Sequence, residues 1–508
     1  MIDFIDNFLD RITMYRLVLY YLIFLIVAAM LLSSFGYLPY SPAALFFSAI
    51  SLVVYSLAAN TLFAKIFRVP PNTESVYITA LILALIITPP LQGAFLSTLP
   101  FLIWASVFAM ACKFIINIDG KHVFNPAAFA VALASLTINQ SASWWISAPS
   151  MMIFTVLGGF LIIRKVRRFD VAIAFLVTAF LTMVLLSMGK STLLMTLKGA
   201  FLYSPLFFFV SIMLTEPLTM PSEHDTRIVY GFLVGWLFAP QTHFGSFYFT
   251  PELALLAGNI YSYVFSPKGR FALKLISKEQ VGKGVYDFKF ETPRRLNFKP
   301  GQYMEWTLGL SRGDSRGNRR YFTLASSPTE NNALLGIKFY PDSSRYKQEL
   351  LDLEEGQEIY AGQLSGDFIL PKNKNKKIVF VAGGIGITPF RSMLKYLIDR
   401  NEARPIIVLY ANRLADEIVY TDVLEEAREK LGIKTVYALS DTKQAPPDWQ
   451  GVLGHFTPQS VVQAVPDFSE RTFYISGSHN MVVGFNDVLI SLDQPRSKIK
   501  TDFFPGLA

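Results

Sequence analysis

From Leu17 to Phe265 the chain is a succession of apolar runs, several of them close to twenty residues long. About twenty apolar residues are what a helix needs to cross the hydrocarbon layer of a bilayer. Backbone N–H and C=O groups find no water there and must pair within their own segment, which leaves the helix as the element that such a run forms. The first half of the chain is therefore expected to be a polytopic α-helical membrane domain. About ten spans are read, at 17–35, 43–63, 76–91, 94–112, 126–138, 150–163, 169–188, 199–214, 228–240 and 250–265. Leu17–Phe35 resembles a secretory leader in composition, but more apolar runs follow it in place of a small-residue cleavage site, so it is taken as the first helix.

The net charge of +8 invites a nucleic-acid reading, but its placement argues for membrane topology instead. With the N-terminus inside, thirteen Lys and Arg fall in inner segments, among them Arg164, Lys165, Arg167 and Arg168, and only Lys190 and Lys198 fall outside. Both termini are thus expected in the cytoplasm, with the chain in the inner membrane. The 508 residues divide into three expected domains: a membrane domain over 1–267, a small β-barrel domain over 268–372 and an α/β domain over 373–508. The single cysteine, Cys112, excludes a disulfide framework, a cysteine-held iron–sulfur cluster and a cysteine-based zinc site within this chain. The five histidines are scattered, with no two at ligand spacing on one span, so neither haem nor another metal site is expected.

Ten spans divide as five plus five, and a repeat with an odd number of spans must be inverted in the membrane. Thr88-Pro89 ends the third expected span and Thr215-Glu216-Pro217 ends the eighth. Asn125-Pro126 opens the fifth and Thr250-Pro251-Glu252 opens the tenth. Prolines at matching places suggest half-helices meeting near the bilayer centre, which makes Thr88, Asn125, Thr215, Glu216 and Glu252 the membrane-core candidates. The plainer alternative is that these prolines end helices at the interface and both carboxylates sit in loops. The stretches Gly120-Lys121-His122-Val123-Phe124-Asn125-Pro126-Ala127-Ala128 and Leu214-Thr215-Glu216-Pro217-Leu218-Thr219 resemble the large membrane subunits of the Rnf and Nqr electron-transport complexes. That resemblance implies electron transfer linked to ion movement. It stops short of the covalent flavin of those subunits: their Ser-Gly-Ala-Thr segment is replaced here by Thr137–Trp145.

Beyond Phe271, short alternating stretches separated by Gly and Pro suggest a small antiparallel barrel. Arg319-Arg320-Tyr321-Phe322-Thr323-Leu324-Ala325-Ser326-Ser327-Pro328 resembles the flavin signature of the ferredoxin–NADP reductase superfamily. The resemblance implies that Arg320 pairs with flavin phosphate, Phe322 stacks on the ring system, Thr323 directs its hydroxyl to N5, and Ser326 lines the site. Tyr303, after Gly301-Gln302, and Ser344, at the start of a second helix terminus, complete the expected FAD site.

Four apolar residues, Ile378–Val381, read as a buried strand. The turn Gly383-Gly384-Ile385-Gly386 follows, and a helix opens at Thr388-Pro389. Glycines let the backbone come close to a ligand, and a helix N-terminus offers free N–H groups to a pyrophosphate. The alternation that continues to Phe473–Ile475 predicts a doubly wound parallel sheet. Ala382–Pro389 and Tyr474-Ile475-Ser476-Gly477-Ser478-His479-Asn480-Met481 resemble the superfamily's nucleotide motifs, which implies NAD(P)H binding by Gly383, Gly384, Gly386, Thr388, Pro389, Gly477 and Met481. Ser476 stands where the family carries cysteine beside the nicotinamide. Asp502 and Phe503, in the C-terminal run, are expected to flank the hydride path, with a plain C-terminal strand as the alternative. Choice between NADH and NADPH is expected after the second strand, where Arg413 would attract a 2′-phosphate and Asp416 and Glu417 would repel one.

The reading is a membrane flavoprotein oxidoreductase that passes electrons from NAD(P)H through FAD to a quinone, a redox protein partner or a cofactor in the membrane domain. That cofactor would be a non-covalent flavin or a quinone. Coupling to ion translocation, other subunits of an electron-transport complex and contact with membrane lipid are implied, and nucleic acid is not. Two rivals stay open: a ferredoxin–NAD(P) reductase with a membrane anchor, and a transporter with a redox-sensing flavin domain.

Overall fold

A computed structural model describes residues 9, 12–67, 73–91, 95–118, 121–188, 192–266, 270–293, 295–309 and 318–504. Gly120, Lys190, the boundary at 268 and the side chains of Lys121 and Phe503, all used above, lie outside the described residues. The chain forms two compact units, Met1–Gly269 and Arg270–Ala508.

The first unit is helical. Its helices are α1 (Met14–Ser34), α2 (Pro42–Phe67), α3 (Thr73–Ile86), α4 (Phe95–Ile115), α5 (Pro126–Ile138), α6 (Met152–Val166), α7 (Phe169–Ser187), α8 (Leu193–Leu202), α9 (Leu206–Leu214), α10 (His224–Phe238) and α11 (Pro251–Phe265). By length and composition five of them can cross a membrane, α1, α2, α4, α6 with the turn before it, and α7; α8 and α9, bent by 53° at their break, would make a sixth. That is fewer than the ten expected spans. The reason is geometric: α3 and α5 have 14 and 13 residues, about 20 Å of helix at 1.5 Å per residue, against a hydrocarbon layer of about 30 Å. The breaks fall where the sequence puts proline and a capping group. Asn125 accepts from the N–H groups of Ala127 and Ala128 at the head of α5, and Thr250 caps α11 at Leu253 N–H.

The second unit has two six-stranded sheets. β1 (Phe271–Gly282), β2 (Val285–Glu291), β3 (Tyr303–Thr307), β4 (Arg319–Thr323), β5 (Ala333–Lys338) and β6 (Glu358–Ser365) form an antiparallel sheet in the order β4-β3-β6-β1-β2-β5. The expectation was a barrel. The sheet ends at β4 and β5, which are bridged just past β4 by Ala325 N–H donating to Leu334 O at 2.9 Å. Alternation along its strands buries Phe288, Phe290, Trp306, Leu335 and Ile337 on one face, closed by Tyr346 and Leu350 of α12 (Arg345–Leu351).

The other sheet is fully parallel, in the order β10-β9-β8-β7-β11-β12: β7 (Ile378–Gly383), β8 (Ile406–Asn412), β9 (Lys434–Leu439), β10 (Val452–Leu453), β11 (Thr472–Ser478) and β12 (Ile499–Phe504). β7 is the doubly covered strand that its apolar run implies. Ile378, Phe380 and Ala382 point to α13 (Thr388–Asp399) and α14 (Thr421–Leu431), while Val379 and Val381 point to α15 (Pro458–Ala464) and α16 (His479–Ser491).

The foot of this sheet is pinned by one buried cation. Arg471 donates to the carbonyl oxygens of Ile378 and Pro405 at 3.1 and 2.9 Å, which joins the starts of three strands. Its Nε is held by Asp467 at 2.6 Å, and that bond keeps the Asp467 carboxyl down at about 2. Arg471→Ala removes both bonds, leaving Pro405 O only its bond from Ile378 N–H at 3.0 Å, and should lower stability by about 3 kcal/mol, read as a fall in the denaturant midpoint of the second unit's transition in the full-length protein.

Candidate functional site

Chain order in the parallel sheet runs outward from β7 through β8 and β9 to β10, then returns to β11 and β12 on the other side. The connections therefore diverge between β7 and β11, and a crevice opens at the carboxyl ends of those two strands, where open α/β sheets hold their ligands. Both glycine motifs lie there. Ala382 is in register with Ser476. The turn Gly384–Ile387 leaves β7 and leads into α13 with Pro389 in its first turn. Gly384 has φ +53°. A Cβ on Gly386 would overlap the carbonyl of Ser476, and one on Gly477 would lie 3.1 Å from Met481 Sδ and 3.3 Å from Gly383 Cα. Gly383, Gly384, Gly386, Thr388, Pro389, Gly477 and Met481 are thus brought into one constellation.

Ser476 is fully buried and its Oγ has no hydrogen-bond partner. On the next strand Asp502 is in register with Ser476, and Phe503 with Gly477. Both belong to a regular C-terminal strand that also borders the crevice. Lys500, two residues earlier, was not singled out by sequence. Its Nζ lies 4.9 Å from the centre of the Tyr474 ring, and burial lowers its pKa.

On the antiparallel sheet, Thr323 is in register with Tyr303, and Phe322 with Met304. Thr323 is buried, and its Oγ1, like Thr435 Oγ1 and Tyr474 OH, has no hydrogen-bond partner among the described residues. Arg320 lays its guanidinium over the ring of Tyr346 at 4.8 Å, and Phe322 meets the same ring at 6.1 Å. Ser344 is the N-cap of α12, and its side chain makes no capping bond. Arg320, Phe322, Thr323, Tyr303 and Ser344 therefore share one end of the sheet. Ser326 is different: its hydroxyl accepts from Leu334 N–H at 3.1 Å and it is buried, so it is tied into the protein's own frame.

A seam joins the two sheets. Ser392 Oγ donates to Ser326 O at 2.6 Å, Arg391 binds Ala325 O and the Glu330 carboxylate, and Tyr420 OH donates to Asp287 Oδ1 at 2.6 Å. Asp416 and Glu417 also belong to it: Lys283 holds the first at 3.4 Å and Lys338 the second at 2.8 Å. They were expected to face a cofactor phosphate, and the structure commits both to lysines of the antiparallel sheet. Arg413 lies 3.8 Å from Asp441. None of these seam pairs has a local sequence signal, because each joins strands or helices far apart in the chain.

In the helical unit, Glu216 Oε2 accepts from Asn125 Nδ2 at 2.9 Å and Thr219 Oγ1 at 2.8 Å, and Oε1 lies 3.5 Å from His122 Nε2. Asn259 of α11 accepts from Asn125 N–H at 2.8 Å. The other carboxylate, Glu252, accepts from Trp144 Nε1 at 3.1 Å, and the N–H groups of Ser143 and Trp144 cap α3 at Ile86 O. Thr215 is buried and bonds Ser211 O. Thr88 is exposed beyond the end of α3 and joins neither cluster. The signal for Asn259 and Trp144, polar groups inside apolar runs, was present but not used.

Residues 380–487 match the family of oxidoreductase NAD-binding domains. Similar proteins include the glycine betaine monooxygenase reductase subunit of Pseudomonas aeruginosa, 27% identical over 213 residues, which are 41% of this chain and 57% of that one. The flavohemoprotein of Bacillus subtilis is 25% identical over 236 residues, 45% of this chain and 58% of that one. NADH-cytochrome b5 reductase 1 of Ajellomyces capsulatus is 28% identical over 214 residues, 40% of this chain and 67% of that one. Among solved structures, the Amycolatopsis cytochrome P450 reductase GcoB matches with a TM-score of 0.42 and 21% identity over 47% of this chain and 71% of that one. This chain spans about three-fifths of the length of the first two relatives. These relatives are named as reductases and a flavohemoprotein. The buried hydroxyls of Thr323 and Ser476 and the side-chain-free cradle at Gly386 fit a flavin and a nicotinamide nucleotide.

Two predictions follow from this geometry. Gly386→Ala forces the turn away from Ser476 and should weaken NAD(P)⁺ retention on an immobilised-nucleotide column at least tenfold, while flavin content stays as in the wild type. The second concerns pH. Burial raises the Asp287 carboxyl from 3.8 to about 6, against the lowering effect of Tyr420 and Arg391. Its neutral form is thus favoured in the folded state, so its contribution is complete below about pH 4, is lost as pH climbs through 6, and is flat above. The loss is about 3 kcal/mol. Asp287→Asn keeps an acceptor for Tyr420 and should flatten the fall in melting temperature between pH 4 and pH 7.

Proposed function

We propose that the chain is a membrane-bound flavoprotein oxidoreductase that takes a hydride from NAD(P)H and passes electrons through FAD to an acceptor in or at the membrane. The observation that carries this reading is the cradle at Gly386 and Gly477, together with the hydroxyls of Thr323 and Ser476, which have no partner among the described residues and stand on two strands that the seam locks into one unit. A bound flavin supplies two-electron uptake from a nicotinamide and one-electron release, which a nicotinamide cannot provide.

In this reading the turn Gly383–Gly386 and the head of α13 hold the pyrophosphate of the nucleotide by backbone N–H groups. Ser476 and Asp502 fix the nicotinamide ring by hydrogen bonding, Gly477 lets it approach, and Met481 and Phe503 cover it. Arg320 holds flavin phosphate as a planar fork, with Tyr346 stacked behind it to set its direction. Phe322 and Tyr303 bound the ring system, Thr323 donates toward its N5, and Ser326 and Ser344 support that pocket. The proposed divisions are 1–267, 268–372 and 373–508.

For the helical unit we propose passage through the inner membrane with both termini in the cytoplasm, in ten segments of which the short ones pair as half-helices. The likeness of its Asn125 and Glu216 stretches to Rnf and Nqr membrane subunits supports an electron-accepting role linked to Na⁺ or H⁺ movement, with a quinone, a non-covalent flavin, a redox protein or partner subunits downstream. Glu216, which accepts from Asn125 and Thr219 and lies 3.5 Å from His122 Nε2, is the carboxylate on which coupling would rest, with Glu252 as its counterpart.

The test is the purified full-length protein. It should carry released FAD and reduce ferricyanide and a short-chain quinone with NADH or NADPH; no reduction with either nucleotide would overturn the reading. Arg320→Ala should lose at least nine-tenths of its flavin on gel filtration, roughly the loss of a charge-assisted phosphate contact, and regain part of it with excess FAD. In proteoliposomes, turnover should generate ΔpH or ΔpNa, and Glu216→Gln should abolish the gradient while ferricyanide reduction persists. A wild-type protein that turns over with no gradient removes the coupling and leaves the reductase.

A further inference from the structure

The outer surface of the helical unit carries two apolar stripes that run into the same turn. On α6, Ile153, Leu157 and Phe160 are exposed, and their spacing of four and three residues puts them on one helix face. The next position on that face, four residues on, is Arg164. On α7 the exposed stripe is Phe169, Ile173, Val177 and Leu181, each four residues from the last. Both helices are long and apolar enough to cross a membrane. Only Arg167 and Arg168 separate them. Arg167 takes φ +53°, and its N–H and that of Arg168 bond back to Arg164 O and Ile163 O, so the turn is tight and closes α6.

Four cations, Arg164, Lys165, Arg167 and Arg168, therefore stand where two lipid-facing stripes end. The carboxylate closest in sequence is already committed inward. Asp170 is bound by Arg227 Nε at 2.9 Å and Nη2 at 2.8 Å, and by His224 Nδ1 at 2.9 Å; Arg227 is itself buried. With Glu223 and Asp225 at the head of α10 counted in, cations still outnumber carboxylates in this corner by five to three. Long basic side chains at the end of a span lay their stems along the apolar face and put their charge at the level of phosphates.

We propose that the Arg164–Arg168 turn is a binding site for the phosphate headgroup of an anionic phospholipid, whose acyl chains lie along the exposed stripes of α6 and α7. The occupant follows from the surroundings: a soluble acidic protein would meet the charge but not the apolar stripes that lead to it, whereas an anionic lipid matches both. The inference rests on the membrane reading of the helical unit.

The test is lipid retention by the full-length protein in nanodiscs of equal parts phosphatidylcholine and phosphatidylglycerol, followed by re-extraction and lipid mass spectrometry. Wild type should retain phosphatidylglycerol in preference, and the R164Q/K165Q/R167Q/R168Q variant should lose that preference by about tenfold. The charge-keeping R164K/R167K/R168K variant should retain it, and raising the salt to roughly 0.5 M should weaken it in the wild type even where the neutralised variant fails to fold. Equal retention by wild type and the neutralised variant overturns the site. So does displacement of the lipid by free glycerol phosphate at matched concentration, or loss of a co-purifying acidic protein as the only effect of neutralisation. Recovery of the chain in the aqueous fraction without detergent overturns the membrane reading and this site together, while an integral chain without lipid preference overturns the site alone.

Discussion

Everything in the second unit depends on how closely the turn after β7 approaches the end of β11. Gly386 lies against the carbonyl of Ser476 with no room for a Cβ, and Gly477 lies against Gly383 and Met481. That contact exists because β7 and β11 are neighbours in the sheet while their connections leave in opposite directions. It brings the head of α13 to the carboxyl end of β11, beside a buried Ser476 whose hydroxyl has no partner among the described residues. A side chain on Gly383, Gly386 or Gly477 would push these elements apart.

The proposed hydride transfer needs its donor carbon and acceptor nitrogen held about 3 to 3.5 Å apart. The seam between the sheets answers that requirement. Its contacts are of several kinds: a hydroxyl-to-carbonyl bond from Ser392 to Ser326, a guanidinium–carboxylate pair of Arg391 and Glu330, a nearly buried ion pair of Lys338 and Glu417, and the bond from Tyr420 to Asp287. Tyr420 has φ +60°, a conformation that costs a bulky residue about 1 kcal/mol or more. The phenol reaches Asp287 from that backbone, beside Gly336, where any side chain would collide with it. Strain, a small residue and a buried acid converge at one point of the seam. Hence the spacing between the Thr323 strand and the Ser476 strand is fixed by the protein rather than left to a ligand.

What the sequence disclosed follows physical range. The buried strand Ile378–Val381, the glycine turn and the helix at Thr388 are consequences of a dozen consecutive residues, and they are found where they were read. The parallel sheet and the enzymatic class of the C-terminal region were equally accessible. The commitments of Asp416 and Glu417 were not, because an acidic pair in a loop looks free until the lysines opposite, from the turn after β1 and from β5, are placed. Asp287 looked like an ordinary polar position of an alternating strand. Thr88 sits in a Thr-Pro step like that of the buried Thr215, yet it is exposed, since a shared motif does not fix which side of a helix end turns inward. In the helical unit Asn125-Pro126 marked where α5 begins, and it is the lengths of α3 and α5 that separate them from full spans.

The helical unit reverses the usual distribution of polarity, and that reversal is the argument for what surrounds it. Its exposed surface carries residues such as Leu31, Phe46, Leu157 and Leu185, while Asn125, Asn259, Glu252 and Arg227 are buried. In water, such a surface would lose the hydrophobic contribution of each exposed side chain, about 1.5 to 3 kcal/mol for a large one, and the buried polar groups would still need partners. In lipid the first term vanishes and the second remains, so every interior polar group has to be satisfied from within. Around the two carboxylates the bonds do this: Asn125 caps α5, holds Glu216 and is held by Asn259, while Trp144 caps α3 and holds Glu252. Each carboxylate thus lies beside the broken end of a short helix, and the same groups that end the helix solvate the charge. A short helix in this unit is therefore a device for bringing backbone and side-chain donors to a buried acid, which a helix of full span length, with its N–H groups spent on its own carbonyls, could not supply.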